Sequence, residues 1–356
     1  MKVLSLFDGV SGAMLALKFL GIGVDEYYAS EIEESAISVS MRNFPEIIQL
    51  GKVEDIDGSD PRLSDVDLLI AGSPCTNLSI AGDGTGLDGD QSKLFYEFIR
   101  ILKEIRPKEF LLENVASMKG DHRKLMTEIV AEAVAEAMPG RKYYHAEINS
   151  ALVSVQSRKR LYWSSIPFEK PHQVNRLVVA DILQEESDVE PNLYARTEQE
   201  ITPSSKYEEG KWSNSSGPVK IYDIGRGRQG ERIYSKYGKS ITITCGGGGP
   251  GGKTGLYFVN GSLYGTENSH QDIVNGSRRL TPMEAERLQY VPDDYTRYGH
   301  DGREMSPSER YAMMGNGFTV TAIAWILNGM SRDGMRKDNS WKHRWKHLTE
   351  RVKGND

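Results

Sequence analysis

Cysteine is scarce in this chain of 356 residues. Only Cys75 and Cys245 occur, too few for a disulfide scaffold, so the fold must hold by burial in a reducing compartment. Long apolar runs are missing, as is a charged-then-apolar leader ahead of the first apolar segment. Both absences argue against a membrane span or secretion and set the expectation of a cytoplasmic protein. A positive excess is lacking too: the formal net charge is -6. That excludes a uniformly basic nucleic-acid binder, but the charges are segregated. Residues 181–210 carry nine acids against two bases, residues 219–253 seven bases against two acids, and residues 331–356 eight bases against four acids. A partner responds to the local field, so the two basic stretches keep an anionic polymer in play. What is present suffices for a core, since 38% of the residues are hydrophobic, enough for one large domain or two ordinary ones.

From Lys2 onward, short apolar runs alternate with helical patterns. In order these are VLSLF, GAMLALKFLG stopped by Gly21, EYYASE, the helix around ESAISVSMRNF, IIQLGKV and DLLIAG. A helix from Ser92 follows, with Leu94, Phe95, Phe98, Ile99 and Leu102 at helical spacing, then EFLLENV, a helix capped by Asp121, YYHAEINSAL and RLYWSSI. That alternation predicts an α/β fold with a parallel-rich sheet covered by helices. After Pro171 the register is lost, and 11 glycines fall between Gly217 and Gly252, which predicts a smaller, irregular, loop-rich body. Helical signals return in RLTPMEAERLQY and SERYAMMGNGFTVTAIAWILNGM, the second apolar enough to pack on the sheet. The expected organisation is residues 1–171, then 172–278, then 279–356 returning to the first body. In the tail, Trp341, Trp345, Leu348 and Val352 share one helical face, which predicts a docking helix rather than a DNA arm.

The run from Val66 to Ala71 reads as a strand buried on both faces, and Cys75 lies just past its C-terminal end, the edge where open α/β sheets bind ligands. Gly82, Gly84, Gly86 and Gly89 then punctuate a polar segment that reads as a hinged lid. A lone cysteine is as readily a small buried hydrophobe. Phe7-Asp8-Gly9-Val10-Ser11-Gly12 ends the first strand and opens a helix, so a ligand can approach backbone N–H groups there. The spacing is not that of a dinucleotide loop, and an ordinary tight turn would look similar. Glu31 ends the second strand, where a carboxylate can take both ribose hydroxyls. Together they suit an adenosine-containing cofactor without a pyrophosphate. Glu113 ends another parallel strand and should share the rim of Cys75, unless it merely caps the next segment. Gln156, Arg158 and Arg160 alternate along a strand and so share a face, the alternative being a solvated edge.

Taken in order, FDGVSG, the Glu31 step, SPC with Cys75, ENV with Glu113, QSRKR, RLTPMEAERLQ and GNGFTVTAIA resemble the motifs of the cytosine-5 DNA methyltransferase family. The bacterial and phage enzymes are most similar, and the first half also resembles the animal de novo enzymes. The resemblance spans nearly all of the chain outside residues 171–277. It implies a Rossmann-like, S-adenosylmethionine-dependent methyltransferase fold with a smaller target-recognition domain at 172–278. It also implies that Cys75 adds to carbon 6 of a cytosine flipped out of duplex DNA. Glu113, more readily protonated if buried, would bond ring nitrogen 3 and the amino group, with Arg158 and Arg160 in support. Cofactor contacts would come from Phe7, Asp8, Gly9, Ser11, Gly12, Glu31, Ile32, Asp55, Pro74 and Asn316. DNA contacts would come from Ser79, Gln156, Arg226, Arg228, Arg232, Lys239, Thr242 and Lys253, and no metal is called for. The expected state is a monomer on double-stranded DNA; whether a cognate restriction nuclease accompanies it stays open, as does the target sequence.

Two departures from the family pattern stand out. An Asp usually follows the glycine after the third strand to hold the adenine amino group, but here Lys52 follows Gly51 and cannot accept that bond. Glu54, Asp55 or a backbone carbonyl must substitute, or the cofactor is held less tightly. Thr242-Ile243 also replaces the Thr-Leu of many relatives. Two other readings compete. One is an RNA cytosine-5 methyltransferase on the same fold, whose Cys-Phe-Thr signature is absent; the other is a silent DNA-binding relative, against which the intact Cys75, Glu113 and Arg158 stand.

Overall fold

Seven strands form the main sheet of the computed structural model, which describes residues 1–73, 93–118, 120–172, 175–197, 199–204, 213–261 and 269–330. They are β1 (Lys2–Leu6), β2 (Glu26–Ser30), β3 (Ile48–Gly51), β4 (Leu68–Gly72), β5 (Glu109–Val115), β6 (Tyr144–Asn149) and β7 (Lys159–Ser164). Their spatial order is β3-β2-β1-β4-β5-β7-β6. All neighbours are parallel except β7, which runs against both β5 and β6. Cys75, Pro74, Ser79, the glycine-hinged segment around them and the tail with Trp341 and Trp345 lie outside the described residues.

The apolar character of β4 follows from burial on both sides: Leu68, Leu69, Ile70 and Ala71 are all fully buried, as expected for a central parallel strand. Alternation along the strand sorts them between two cores. Leu68 and Ile70 join Val3 and Leu111 under α1 (Gly12–Leu20), α2 (Glu34–Asn43) and α8 (Val320–Leu327). Leu69 and Ala71 join Leu4, Leu6, Phe110 and Leu112 under α3 (Lys93–Ile105) and α4 (Gly120–Ala137). The C-terminal α8 packs against the N-terminal α1, so the far end of the chain closes the first core.

Chain order reverses at β1, which pairs β2 on one side and β4 on the other. The loops leaving β1 and β4 therefore diverge and open a crevice at the carboxyl edge. Before α8 come α5 (His270–Asn275), α6 (Pro282–Gln289) and α7 (Pro307–Asn316). The sequences Thr-Pro-Met-Glu and Ser-Pro-Ser-Glu set the starts of α6 and α7. In each, the cap hydroxyl accepts from the third N–H, the glutamate accepts from the cap N–H, and proline occupies the first turn, where its missing N–H costs nothing.

The smaller body is less irregular than its composition predicts. It holds a five-stranded sheet ordered β12-β11-β10-β9-β8, built from β8 (Ile201–Pro203), β9 (Lys220–Ile224), β10 (Arg232–Ser235), β11 (Leu256–Phe258) and β12 (Ser277–Arg278). Ile221, Ile224, Ile233, Leu256 and Phe258 give it a core of its own. Strands of two to five residues among glycines leave too few alternations to be read from hydropathy. Among the described residues, no helix is long and apolar enough to cross a membrane.

Candidate active site

The crevice holds a cavity of about 710 Å³ whose wall is drawn from both ends of the chain. One side is the turn after β1. Phe7, Gly9 and Ser11 all adopt positive φ, folding the backbone sharply into α1. Asp8, 3% exposed, braces this turn by accepting from Tyr27 Oη and Ser11 Oγ, each at 2.6 Å. Burial raises its pKa to about 6 despite these donors. Glu31 latches the end of β2 to the same turn. Its Oε2 accepts from the Gly9 N–H at 2.7 Å, and its Oε1 from the Ile32 and Glu33 N–H groups at 2.7 and 3.0 Å. Three backbone donors fix the carboxylate and leave acceptor capacity toward the cavity. Beside it Ile32, an apolar side chain at the wall, is 63% exposed.

An exposed apolar face next to an oriented carboxylate fits a nucleoside: the carboxylate can take ribose hydroxyls while Ile32 meets the flat base. The residues present therefore fit S-adenosylmethionine.

The opposite wall carries the other charges. Glu113, at the end of β5, is 9% exposed and pairs with Arg160, Nε to Oε1, at 2.8 Å. Arg158 is 4% exposed and donates to the carbonyls of Gly315 and Gly317 at 3.0 and 3.1 Å. Desolvation and the neighbouring Arg160 press its pKa down to about 9, which leaves it cationic at neutral pH. Close packing seals this side. A Cβ on Gly72 would sit 2.9 Å from Phe318, and one on Gly315 would sit 2.6 Å from the Cys245 nitrogen.

Of the expected cofactor residues, Phe7, Asp8, Gly9, Glu31, Ile32 and Asn316 line the cavity, as do Glu113, Arg158 and Arg160. Ser11 and Gly12 do not. Ser11 is fully buried behind the turn, where its Oγ also meets Ser40 Oγ at 2.6 Å, and Gly12 faces Phe318. Asp55 is corrected as well. Lys52 and Glu54 line the cavity and Asp55 does not, because Val53–Asp55 forms a 3₁₀ turn in which successive residues point about 120° apart.

The expected strand through Gln156 is shorter than read. β7 starts at Lys159, and Gln156 instead bridges Ser240 of the smaller body. Its side chain is fully buried away from the cavity, and both amide atoms lack a hydrogen-bond partner among the described residues. Lys239, expected at a DNA phosphate, is fully buried as well, with its Nζ bonded to protein oxygens. Thr242 Oγ1 donates to the Ser157 carbonyl at 2.7 Å, Arg232 Nε to the Gly227 carbonyl at 2.7 Å, and Lys253 Nζ to Ser308. Arg226 and Arg228 are exposed.

Phe318 and Cys245 are among the cavity residues that sequence reasoning missed. Phe318 directly follows the Gly-Asn-Gly turn, so that motif pointed one residue short of it. Cys245 sits in a glycine-rich stretch with no local signal and reaches the cavity only because the smaller body folds back over α7.

Comparison with known proteins gives the family. A family model described as C-5 cytosine-specific DNA methylase matches residues 1–332. The type II methyltransferase M.HhaI of Haemophilus parahaemolyticus is 29% identical over 337 residues, covering 92% of this chain and 93% of that protein. M.HaeII of Haemophilus aegyptius is 28% identical over 341 residues, 92% of each. Among solved structures, the Entamoeba histolytica methyltransferase EhMeth superposes with a TM-score of 0.65 at 17% identity, over 93% of this chain and 99% of that one. The S. pombe Dnmt2 methyltransferase gives 0.63 at 16%, over 93% and 100%. At that identity the two structures establish a shared fold alone. The family model, however, runs through both sheets and the helices that return to the first, and on that span the chain belongs to the C-5 cytosine-specific DNA methylases.

Proposed function

We propose that this chain methylates carbon 5 of a flipped-out cytosine in duplex DNA, with Cys75 forming a covalent adduct. The observation that carries the reading is one cavity at the switch point with the oriented Glu31 carboxylate beside the exposed Ile32 on one wall and an ion-paired Glu113 with Arg158 opposite. Cys75 follows Ser73, a cavity residue at the end of β4, by two positions.

Carbon 5 of cytosine is a poor nucleophile within an aromatic ring. Addition of the Cys75 thiolate forms a sulfur–carbon 6 bond, breaks the aromaticity and pushes an electron pair toward carbon 5 and ring nitrogen 3. Glu113 accepts from the amino group and gives a proton to nitrogen 3, where negative charge develops, and Arg160 holds that carboxyl in place. Arg158, anchored on the Gly315 and Gly317 carbonyls, presents fixed positive charge to the same ring. S-adenosylmethionine would be held by Phe7, Glu31, Ile32 and Asn316 and, when bound, would supply an electrophilic methyl group, which carbon 5 takes as the sulfonium–methyl bond breaks and the thioether S-adenosylhomocysteine leaves. Loss of the carbon 5 proton to water then turns its electron pair into the carbon 5–carbon 6 double bond, restores the ring and expels Cys75 as the thiolate. The base must leave the stack for any of these contacts to form. The exposed Arg226 and Arg228 of the smaller body suit the reading of guanine edges.

Incubation of the purified chain with labelled S-adenosylmethionine and either duplex DNA or structured RNA tests this. Label in 5-methylcytosine of the duplex is the expected result; label confined to RNA, or none in either, overturns the reading.

A further inference from the structure

Among the described residues Lys239 stands out as a lysine with 0% exposure. Its Nζ lies 2.7 Å from the Ser154 carbonyl, 2.8 Å from the Leu177 carbonyl, 3.1 Å from the Asn175 carbonyl and 3.4 Å from Asn175 Oδ1. An ammonium has three N–H donors and no acceptor, and only that form suits a ring made wholly of oxygens. Burial works the other way and presses the pKa of Lys239 down to about 7, with Asp181 the nearby charge that opposes it.

The oxygens come from two separate stretches, the loop before β7 and the segment that crosses to the smaller body, while Lys239 itself follows β10. Around this knot the two bodies share backbone bonds. The Ser240 N–H donates to the Val155 carbonyl and the Ser157 N–H to the Ser240 carbonyl, both at 2.9 Å, and the Val179 N–H reaches the Gly238 carbonyl at 2.9 Å. One residue past Ser157 is Arg158, and five past Ser240 is Cys245, both on the cavity wall.

We propose that Lys239 is a positioning residue: its ammonium clamps residues 239–245 of the smaller body onto the 154–158 loop, so that the segment beside the DNA and the arginine beside the target base keep one relative geometry. The role in DNA reading rests on the function proposed above; the clamp itself rests on geometry. A charged group with its stem fully buried and its oxygen partners in two bodies cannot serve as a phosphate contact. Its removal leaves the carbonyl oxygens of Ser154, Asn175 and Leu177 facing an empty space without that donor, while Asn175 Oδ1 keeps the Leu177 N–H at 2.8 Å.

Hydrogen exchange read by mass spectrometry on peptides spanning residues 154–158 and 239–245 tests the clamp without reference to activity. Lys239→Ala should speed exchange at the Ser157 and Ser240 amides by about tenfold or more, the effect of losing hydrogen bonds to a charged group. Added n-propylammonium should restore protection, because the freed space and its oxygens match that ion. In parallel, single-turnover methyl transfer should fall and recover with the same ion, while affinity for S-adenosylhomocysteine stays within about twofold throughout, since that wall is remote. Exchange unchanged at the two amides overturns the clamp. So does a loss that propylammonium leaves untouched while S-adenosylhomocysteine binding weakens in step, which marks general destabilisation. Should Lys239→Ala not accumulate folded, Lys239→Met keeps the stem and loses only the donors; faster exchange at the same amides is then expected, and unchanged exchange overturns the clamp. A wild-type protein that transfers no methyl group overturns the functional reading instead, and the exchange result still decides the clamp.

Discussion

Asp8 is the residue where fold and site are hardest to separate, because its carboxyl braces, from behind, a turn whose residues stand in the cavity wall. Its pKa is raised from 3.8 to about 6, so the folded protein takes up this proton more readily than the unfolded chain. Stability from Asp8 is therefore full below about pH 4 and is lost as pH rises through 6. Asp8→Asn, which cannot ionise, should gain on wild type by up to about 3 kcal/mol across that window and hold the margin above it. Urea titrations of both proteins at stepped pH would show this, and parallel pH profiles would contradict it. Glu113→Gln keeps the shape and one bonding face but removes the exchangeable proton and the charge paired with Arg160. Its single-turnover rate should drop on the order of 10²-fold with DNA affinity little changed; an unchanged rate would make Glu113 structural. The shared placement of Glu31, Glu113, Arg158 and Arg160 on one cavity was legible because strand ends in the main sheet converge on one edge. Lys239 and Gln156 were misread because hydropathy marks both as surface residues, and only tertiary packing buries them.

At the level of elements, strands and helices of the main sheet were legible wherever a run was long and its period clear, and β5 matches its apolar run EFLLENV residue for residue. The short strands of the smaller sheet were not, since glycine-rich segments take their conformation from the partner strand rather than from their own pattern. The turn after β3 lies between these cases. Its sequence named Lys52 as a departure, and its 3₁₀ geometry brings Glu54 rather than Asp55 to the cavity. Lys52→Asp should thus tighten S-adenosylmethionine binding by offering an acceptor to the adenine amino group, while Glu54→Ala should weaken it. Calorimetric titration measures both, and opposite or null shifts would move the contact to a backbone carbonyl.

For the whole molecule, the uneven charge decides how a protein with a net charge of -6 can meet DNA. In the proposed function, positive residues at the surface of the smaller body steer the polymer, and burial removes Lys239 from that count. The double variant Arg226→Ala/Arg228→Ala should make the dependence of log affinity on log salt shallower by up to about two units and widen the set of methylated sites. Lys239→Ala should leave the salt dependence as it is. Filter binding across salt concentrations with bisulfite sequencing of a methylated plasmid separates these outcomes.

The proposed mechanism turns on which thiol attacks, since Cys245 lines the cavity and Cys75 is named by its place after β4 and by the family motif. A duplex carrying 5-fluorocytosine at the target holds the adduct, because fluorine at carbon 5 cannot leave as a proton does. Intact-mass measurement after incubation with that duplex and S-adenosylmethionine should show a covalent protein–DNA species for wild type and for Cys245→Ser, and none for Cys75→Ala. An adduct that survives Cys75→Ala, or one lost only in Cys245→Ser, would contradict it.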